Sequence, residues 1–242
     1  MAGPPRAAPD AAPFRVALTF DAEHPDRPTD PTAEPRLLAT LARLGVRATF
    51  FLQGRWVEAY PARAREVAQA GHLIGNHGFY HVRMPLLSAD GLRTDIAEAE
   101  RVIIDETGVD PKPWFRCAFG AGGDDATVLA AVAAAGYGHV PWDVESEDWS
   151  PSMSGDALTS ELLARLLARR AAGEGDGSIV LLHTWPAGTA DAIEPLVARL
   201  RDDGATLVRL DELDRFGAAS SASTSGASAS GASSSGASSS SG

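Results

Sequence analysis

His77 and His81 stand four residues apart, directly after the apolar run LIGN at 73–76. On a helical turn, side chains at i and i+4 share a face, so both imidazoles can meet one divalent ion. Asp21 and Glu23 follow the run VALTF in a comparable way. If the chain stays extended there, residues i and i+2 point to one side. One carboxylate can then complete a metal set while the other accepts a proton. Two imidazoles and a carboxylate match the three protein ligands of a catalytic zinc, which keeps a position for water. Core packing explains a lone buried histidine equally well, and an exposed loop pair explains the carboxylates. Spacing alone leaves these readings open.

His183 ends the most apolar run of the chain, IVLL at 179–182. A ring buried there requires a polar partner, and Asp148 is the candidate. A carboxylate on one ring nitrogen fixes the tautomer and raises the imidazole pKa, which suits a general acid for a leaving amine. Arg116 lies among Phe115, Cys117 and Phe119, so it must meet a carboxylate, most simply Asp21. Cys117 reads as core filler. As the one cysteine of the chain it excludes an internal disulfide framework and a cysteine-based zinc cluster.

These side chains, together with Asp143, share a position: each lies at or just past the end of a β-rich run. Seven such runs occur, at 16–20, 48–54, 72–77, 114–119, 138–144, 178–184 and 206–210, and six helical segments separate them. One of these, at 88–108, opens with Ser88 as its cap. Repeated alternation of this kind predicts a parallel sheet, whose strand C-termini carry the site in α/β folds. No glycine-rich phosphate loop follows the first run, which favours a distorted (β/α)7 barrel over a doubly wound sheet.

The length of 242 residues fits one domain, expected over 14–217. Residues 1–13 read as an unstructured arm rich in proline and alanine, and residues 218–242 as a flexible serine, alanine and glycine tail. A net charge of -11 disfavours nucleic acid and anionic membrane as partners. No apolar stretch approaches the roughly 18 residues that span a bilayer. The start lacks an apolar secretory segment, so the expected location is cytoplasmic, or outside the cell if the true start lies upstream. Nothing in the pattern names a protein partner.

In order, these motifs resemble the polysaccharide deacetylase family, the NodB-homology domain of carbohydrate esterase family 4. Its TFDD motif is represented by Thr19-Phe20-Asp21-Ala22, and its HSxxH motif by His77-Gly78-Phe79-Tyr80-His81. Its RxPxG motif corresponds to Arg116-Cys117-Ala118-Phe119-Gly120, its DxxDW motif to Glu145-Ser146-Glu147-Asp148-Trp149, and its LxLxH motif to Ile179–His183. The resemblance implies metal-dependent removal of acetyl groups from an N- or O-acetylated carbohydrate, an N-acetylglucosamine-type glycan first. Zinc is the metal expected, with cobalt or nickel as alternatives. By the same resemblance Asp21 is the base held by Arg116, and His183 oriented by Asp148 is the acid. A backbone N–H near Phe119 would stabilise the oxyanion, while Trp149 and Leu182 would line the acetyl pocket.

Three positions depart from the family pattern. The second aspartate is Ala22, the serine or threonine is Gly78, and the proline is Ala118. Glu23 is expected to replace the ligand lost at Ala22, giving a His77–His81–Glu23 set, with His24 as the second candidate. Loss of that carboxylate also admits a non-catalytic glycan-binding relative, or a metal-independent amide hydrolase acting on a small molecule.

Overall fold

The structure, a computed structural model, describes residues 14–27 and 30–216. The arm expected at 1–13, the tail expected at 218–242, and Gly217 lie outside the described residues.

Eight strands form one sheet: β1 (Arg15–Ala22), β2 (Thr49–Leu52), β3 (Leu73–Asn76), β4 (Trp114–Phe115), β5 (Gly138–His139), β6 (Val144–Glu145), β7 (Ser178–His183) and β8 (Thr206–Leu207). Their order is β5-β4-β3-β2-β1-β7-β6, with β8 paired to the start of β1. All pairings are parallel, as the strand–helix alternation predicts. The helices are α1 (Ala33–Leu44), α2 (Gly54–Ala59), α3 (Pro61–Gln69), α4 (Ala89–Thr107), α5 (Ala126–Ala134), α6 (Gly155–Ala171) and α7 (Ala187–Asp202). Ser88 caps α4 as expected, its side chain accepting from the Gly91 amide.

The sheet curls into a half-barrel that is open between β5 and β6, which do not pair among the described residues. The run at 138–144, expected as one strand, divides there into two. Pro141 has no N–H to give a ladder. Asp143 then turns outward to bond the Ile179 amide and Arg215, so it stands away from the site it was grouped with.

One alternation explains both layers of the core. On β1 the residues Val16, Leu18, Phe20 and Ala22 face the helices, joined there by Phe50 and Leu52 of β2 and Val180 and Leu182 of β7. The intervening residues face the barrel interior. Ala17, Phe51, Trp114 and Ile179 pack together there. Farther along, the same face becomes polar: Thr19 and Asp21 on β1 and, past Leu181, His183 on β7. Burying an apolar side chain of this size contributes about 1.5–3 kcal/mol, so the helix-facing residues hold the strands in the register that aligns the polar ones.

Candidate active site

The β1–β7 register places Asp21 opposite His183, and β3 pairs Asn76 with Phe115, so that His77 and Arg116 leave adjacent strand ends together. Arg116 is fully buried. Its Nη1 donates to Asp21 Oδ1 at 2.8 Å and to Thr19 Oγ1 at 2.9 Å, and Nε donates to the Val140 carbonyl at 3.3 Å. The guanidinium lies 4.1 Å from the centre of the Phe51 ring. Gly75 makes that stacking feasible, since a Cβ there would stand 2.5 Å from the Phe51 ring. The expected Arg116–Asp21 pair is therefore present, and it fixes one oxygen of Asp21.

His183 presents Nδ1 to Asp148 Oδ1 at 2.6 Å. The second oxygen of Asp148 accepts from the His183 amide at 2.8 Å and from Thr189 Oγ1 at 2.6 Å. Burial disfavours the charged ring, but Asp148, then Glu23 and Asp21, outweigh it and raise the pKa to about 9. Nε2 faces the other way, 3.8 Å from Glu23 Oε1.

Glu23 is the hub of the site. Its carboxylate lies 3.0 Å from His24 Nε2 and 3.3 Å from His77 Nε2, and it contacts His81 Nε2 as well. Burial alone would raise its pKa, yet the three imidazoles hold it well below the usual carboxylate range. Ala22 faces the apolar layer, so the lost carboxylate leaves no gap in the cavity wall. The ligand atoms of Glu23, His24 and His81 all lie within 4.8 Å of one another. His77, expected in that set, sits deeper: its Nδ1 donates to the Arg116 carbonyl at 2.9 Å, and its Nε2 stands 3.4 Å from Asp21 Oδ2. His24 comes into range through a left-handed backbone turn, φ 57°, braced by Gln53 Oε1 on its amide at 2.9 Å. His81 Nδ1 is buried without a hydrogen-bond partner among the described residues. One carboxylate among neutral-capable imidazoles is the donor chemistry a zinc-type ion prefers, so these residues fit the metal.

The HxxxH segment is not the helical turn its spacing suggested. It is a loop, bent by left-handed Gly78 (φ 72°) and His81 (φ 55°). Asp95 of α4 ties it down, accepting from the Phe79 and Tyr80 amides at 3.0 Å each. Asp95, Thr189 and Gln53 were not found from sequence, because helical or loop polar residues carry no periodic signal. All four non-glycine residues with positive φ among those described, His24, His81, Phe119 and Glu147, lie in the segments that follow the ends of β1, β3, β4 and β6. Such backbone costs about 1–3 kcal/mol per residue and is retained where it aims a side chain.

The polar ends open into a cavity of about 380 Å³, with Phe119 and Trp149 half-exposed at its mouth. Leu182, expected in its lining, is buried against the helices, and Leu181 lines the cavity instead. Alternation is the reason: Leu181 is two residues from His183 and shares its face.

Comparison with known proteins identifies the family and the fold. The family described as polysaccharide deacetylase matches residues 9–140. The chain belongs to the polysaccharide deacetylase family. It is 30% identical over 202 residues to a peptidoglycan-N-acetylglucosamine deacetylase of Bacillus cereus, covering 82% of this chain and 67% of that one. It is 32% identical over 200 residues to a peptidoglycan-N-acetylglucosamine deacetylase of Listeria monocytogenes, covering 82% of this chain. This chain spans only 38% of the length of that relative. The fold is also similar to a family 4 carbohydrate esterase pseudoenzyme from Bacillus anthracis, with a TM-score of 0.72 at 26% identity, covering 83% of this chain and 65% of that one. Shape alone therefore does not separate active members from inactive ones; the residues must.

Proposed function

We propose that this chain is a metal-dependent deacetylase that removes acetyl groups from an N-acetylated glycan. The observation that carries this reading is the pairing of Asp21 with His183 across β1 and β7, each held by its own partner, at the floor of one cavity. Glu23, His81 and one of His24 or His77 would hold the ion, zinc first and cobalt or nickel as alternatives. When bound, it supplies Lewis acidity at the acetyl carbonyl and at the attacking water. Asp21, fixed by Arg116, takes the proton from that water. His183, protonated through Asp148, gives its proton to the departing nitrogen, so one proton enters the site and one leaves. The backbone N–H near Phe119 is the donor for the developing oxyanion. Phe119, Trp149 and Leu181 flank the space left for the acetyl group.

The test is acetate release from N-acetylated oligosaccharides by zinc-supplemented protein, compared with chelated protein. Activity that requires metal and falls with Asp21→Asn and His183→Gln supports this reading. A non-catalytic glycan-binding role is the second reading, favoured by Ala22 and by the similarity to a pseudoenzyme. It takes over if oligosaccharide binds and no acetate is released under any metal. Acetate release that survives chelation would instead favour the metal-independent amide hydrolase.

A further inference from the structure

Arginine in this acidic chain is almost always matched. Among the described residues only the side chains of Arg27, Arg83 and Arg199 make neither an ion pair nor a hydrogen bond, and two of these three line the cavity. Arg27 stacks over the Trp185 ring at 4.3 Å, and Arg83 over the Phe119 ring at 4.8 Å. Those two rings flank the site from opposite members of it: Trp185 lies 5.9 Å from the His183 ring, and Phe119 4.4 Å from the His81 ring. A guanidinium laid on an aromatic face keeps its planar fork of N–H donors free for an anion.

The two arginines are not counter-ions of the buried carboxylates. Asp21 already has Arg116, Glu23 has its imidazoles, and Asp148 has His183. Glu145 is the remaining carboxylate of the lining, and neither arginine pairs with it. Two cations without an ion pair among the described residues, at the mouth of a cavity, thus point to an anion brought by the ligand. A cavity of about 380 Å³ is of the size that takes a small ligand, such as a single sugar unit with its substituents.

We infer that Arg27 and Arg83 make this site select an acetylated sugar that also carries a carboxylate. The inference rests on the deacetylase reading for the acetyl group, and adds the charge of the unit that bears it. Arg27 and Arg83 here are specificity residues that touch the substrate away from the bond that breaks.

The experiment measures binding directly, by calorimetry on the full chain. Its probes are the disaccharide of N-acetylglucosamine and N-acetylmuramic acid, which has a carboxylate, and di-N-acetylchitobiose, which has none. Tighter binding of the acidic probe by roughly tenfold or more is expected from charge-assisted hydrogen bonds, and that preference weakens with added salt. In the double variant Arg27→Gln/Arg83→Gln the ratio of the two affinities should collapse towards one. Equal affinities in the parent, or a preference that survives in the double variant, would overturn the inference. Acetate release is measured on the same samples. If the preference collapses as expected but neither probe loses acetate, the arginine assignment stands and the deacetylase reading fails.

Discussion

Asp148 grips His183 at two points, accepting the ring Nδ1–H with one oxygen at 2.6 Å and the backbone amide with the other at 2.8 Å. Ring orientation and charge therefore depend on one carboxylate. Asp148→Asn keeps the shape and removes the charge, so the His183 pKa should fall from its value of about 9. The acid is lost as pH rises through that pKa, which moves the basic limb of the kcat profile downward. Turnover should drop by roughly 10²–10⁴-fold, the range for general acid catalysis. A pH–rate profile that stays in place removes Asp148 from the mechanism.

Metal affinity separates the two carboxylates of the first motif. Glu23 touches three imidazoles, whereas Asp21 is committed to Arg116. Glu23→Gln should weaken zinc binding by at least tenfold, since each ligand of a catalytic set supplies a large share of affinity. Asp21→Asn should spare it. His24→Ala tests the ligand trio directly: competition with a chromogenic chelator should show weakened binding if His24 belongs to it. Parent-like affinity in both Glu23→Gln and His24→Ala would refute the substitute-ligand idea.

Much of this arrangement could be read from the chain because it follows strand alternation. Asp21, His183 and Arg116 each end an apolar run, and the parallel fold gathers such ends. The same rule, applied to β7, would have placed Leu181 rather than Leu182 in the cavity. What lay beyond reach was the loop geometry. The HxxxH spacing suggests a helical turn, yet the segment is shaped by left-handed residues and by Asp95, a residue some fifteen positions away on a helix face. The split of 138–144 into two strands followed the same logic: Pro141 interrupts a run whose composition is otherwise that of a strand.

Gly78 occupies the place where the related motif has serine or threonine, and the structure gives a reason. Its φ of +72° is left-handed, and an added Cβ would stand 2.5 Å from Asp95 Oδ2. Gly78→Ala should destabilise the fold by about 1–3 kcal/mol, as for other forced left-handed side chains. The contact with Asp95 predicts coupling: in a double-mutant cycle with Asp95→Ala the two costs should sum to more than the measured loss. Urea denaturation decides it. A Gly78→Ala protein as stable as its parent would show that the loop adopts another path.

His72 gives the fold an acid sensitivity unrelated to the site. Its Nδ1 accepts the Ala48 amide at 3.0 Å, so this ring must be unprotonated at that nitrogen. Burial, reinforced by repulsion from Arg209, lowers its pKa to about 4. Its ordinary value is near 6.5. The sign follows from comparing the two states. Below about pH 6.5 the unfolded ring gains a proton while the folded ring stays neutral, so stability falls as pH drops towards 4 and then levels. A shift of this size is worth about 3 kcal/mol at the acid end. Glu34, raised to about 7 chiefly by burial, titrates in the opposite sense, but it is present in any variant of His72 and cancels in a difference. His72→Gln keeps an acceptor for Ala48 and removes the titration. The stability of the parent minus that of His72→Gln, measured by denaturant unfolding, should decline between pH 6.5 and 4 and be flat above pH 7.5. Parallel curves across that whole range would mean that His72 is protonated as readily in the fold as outside it.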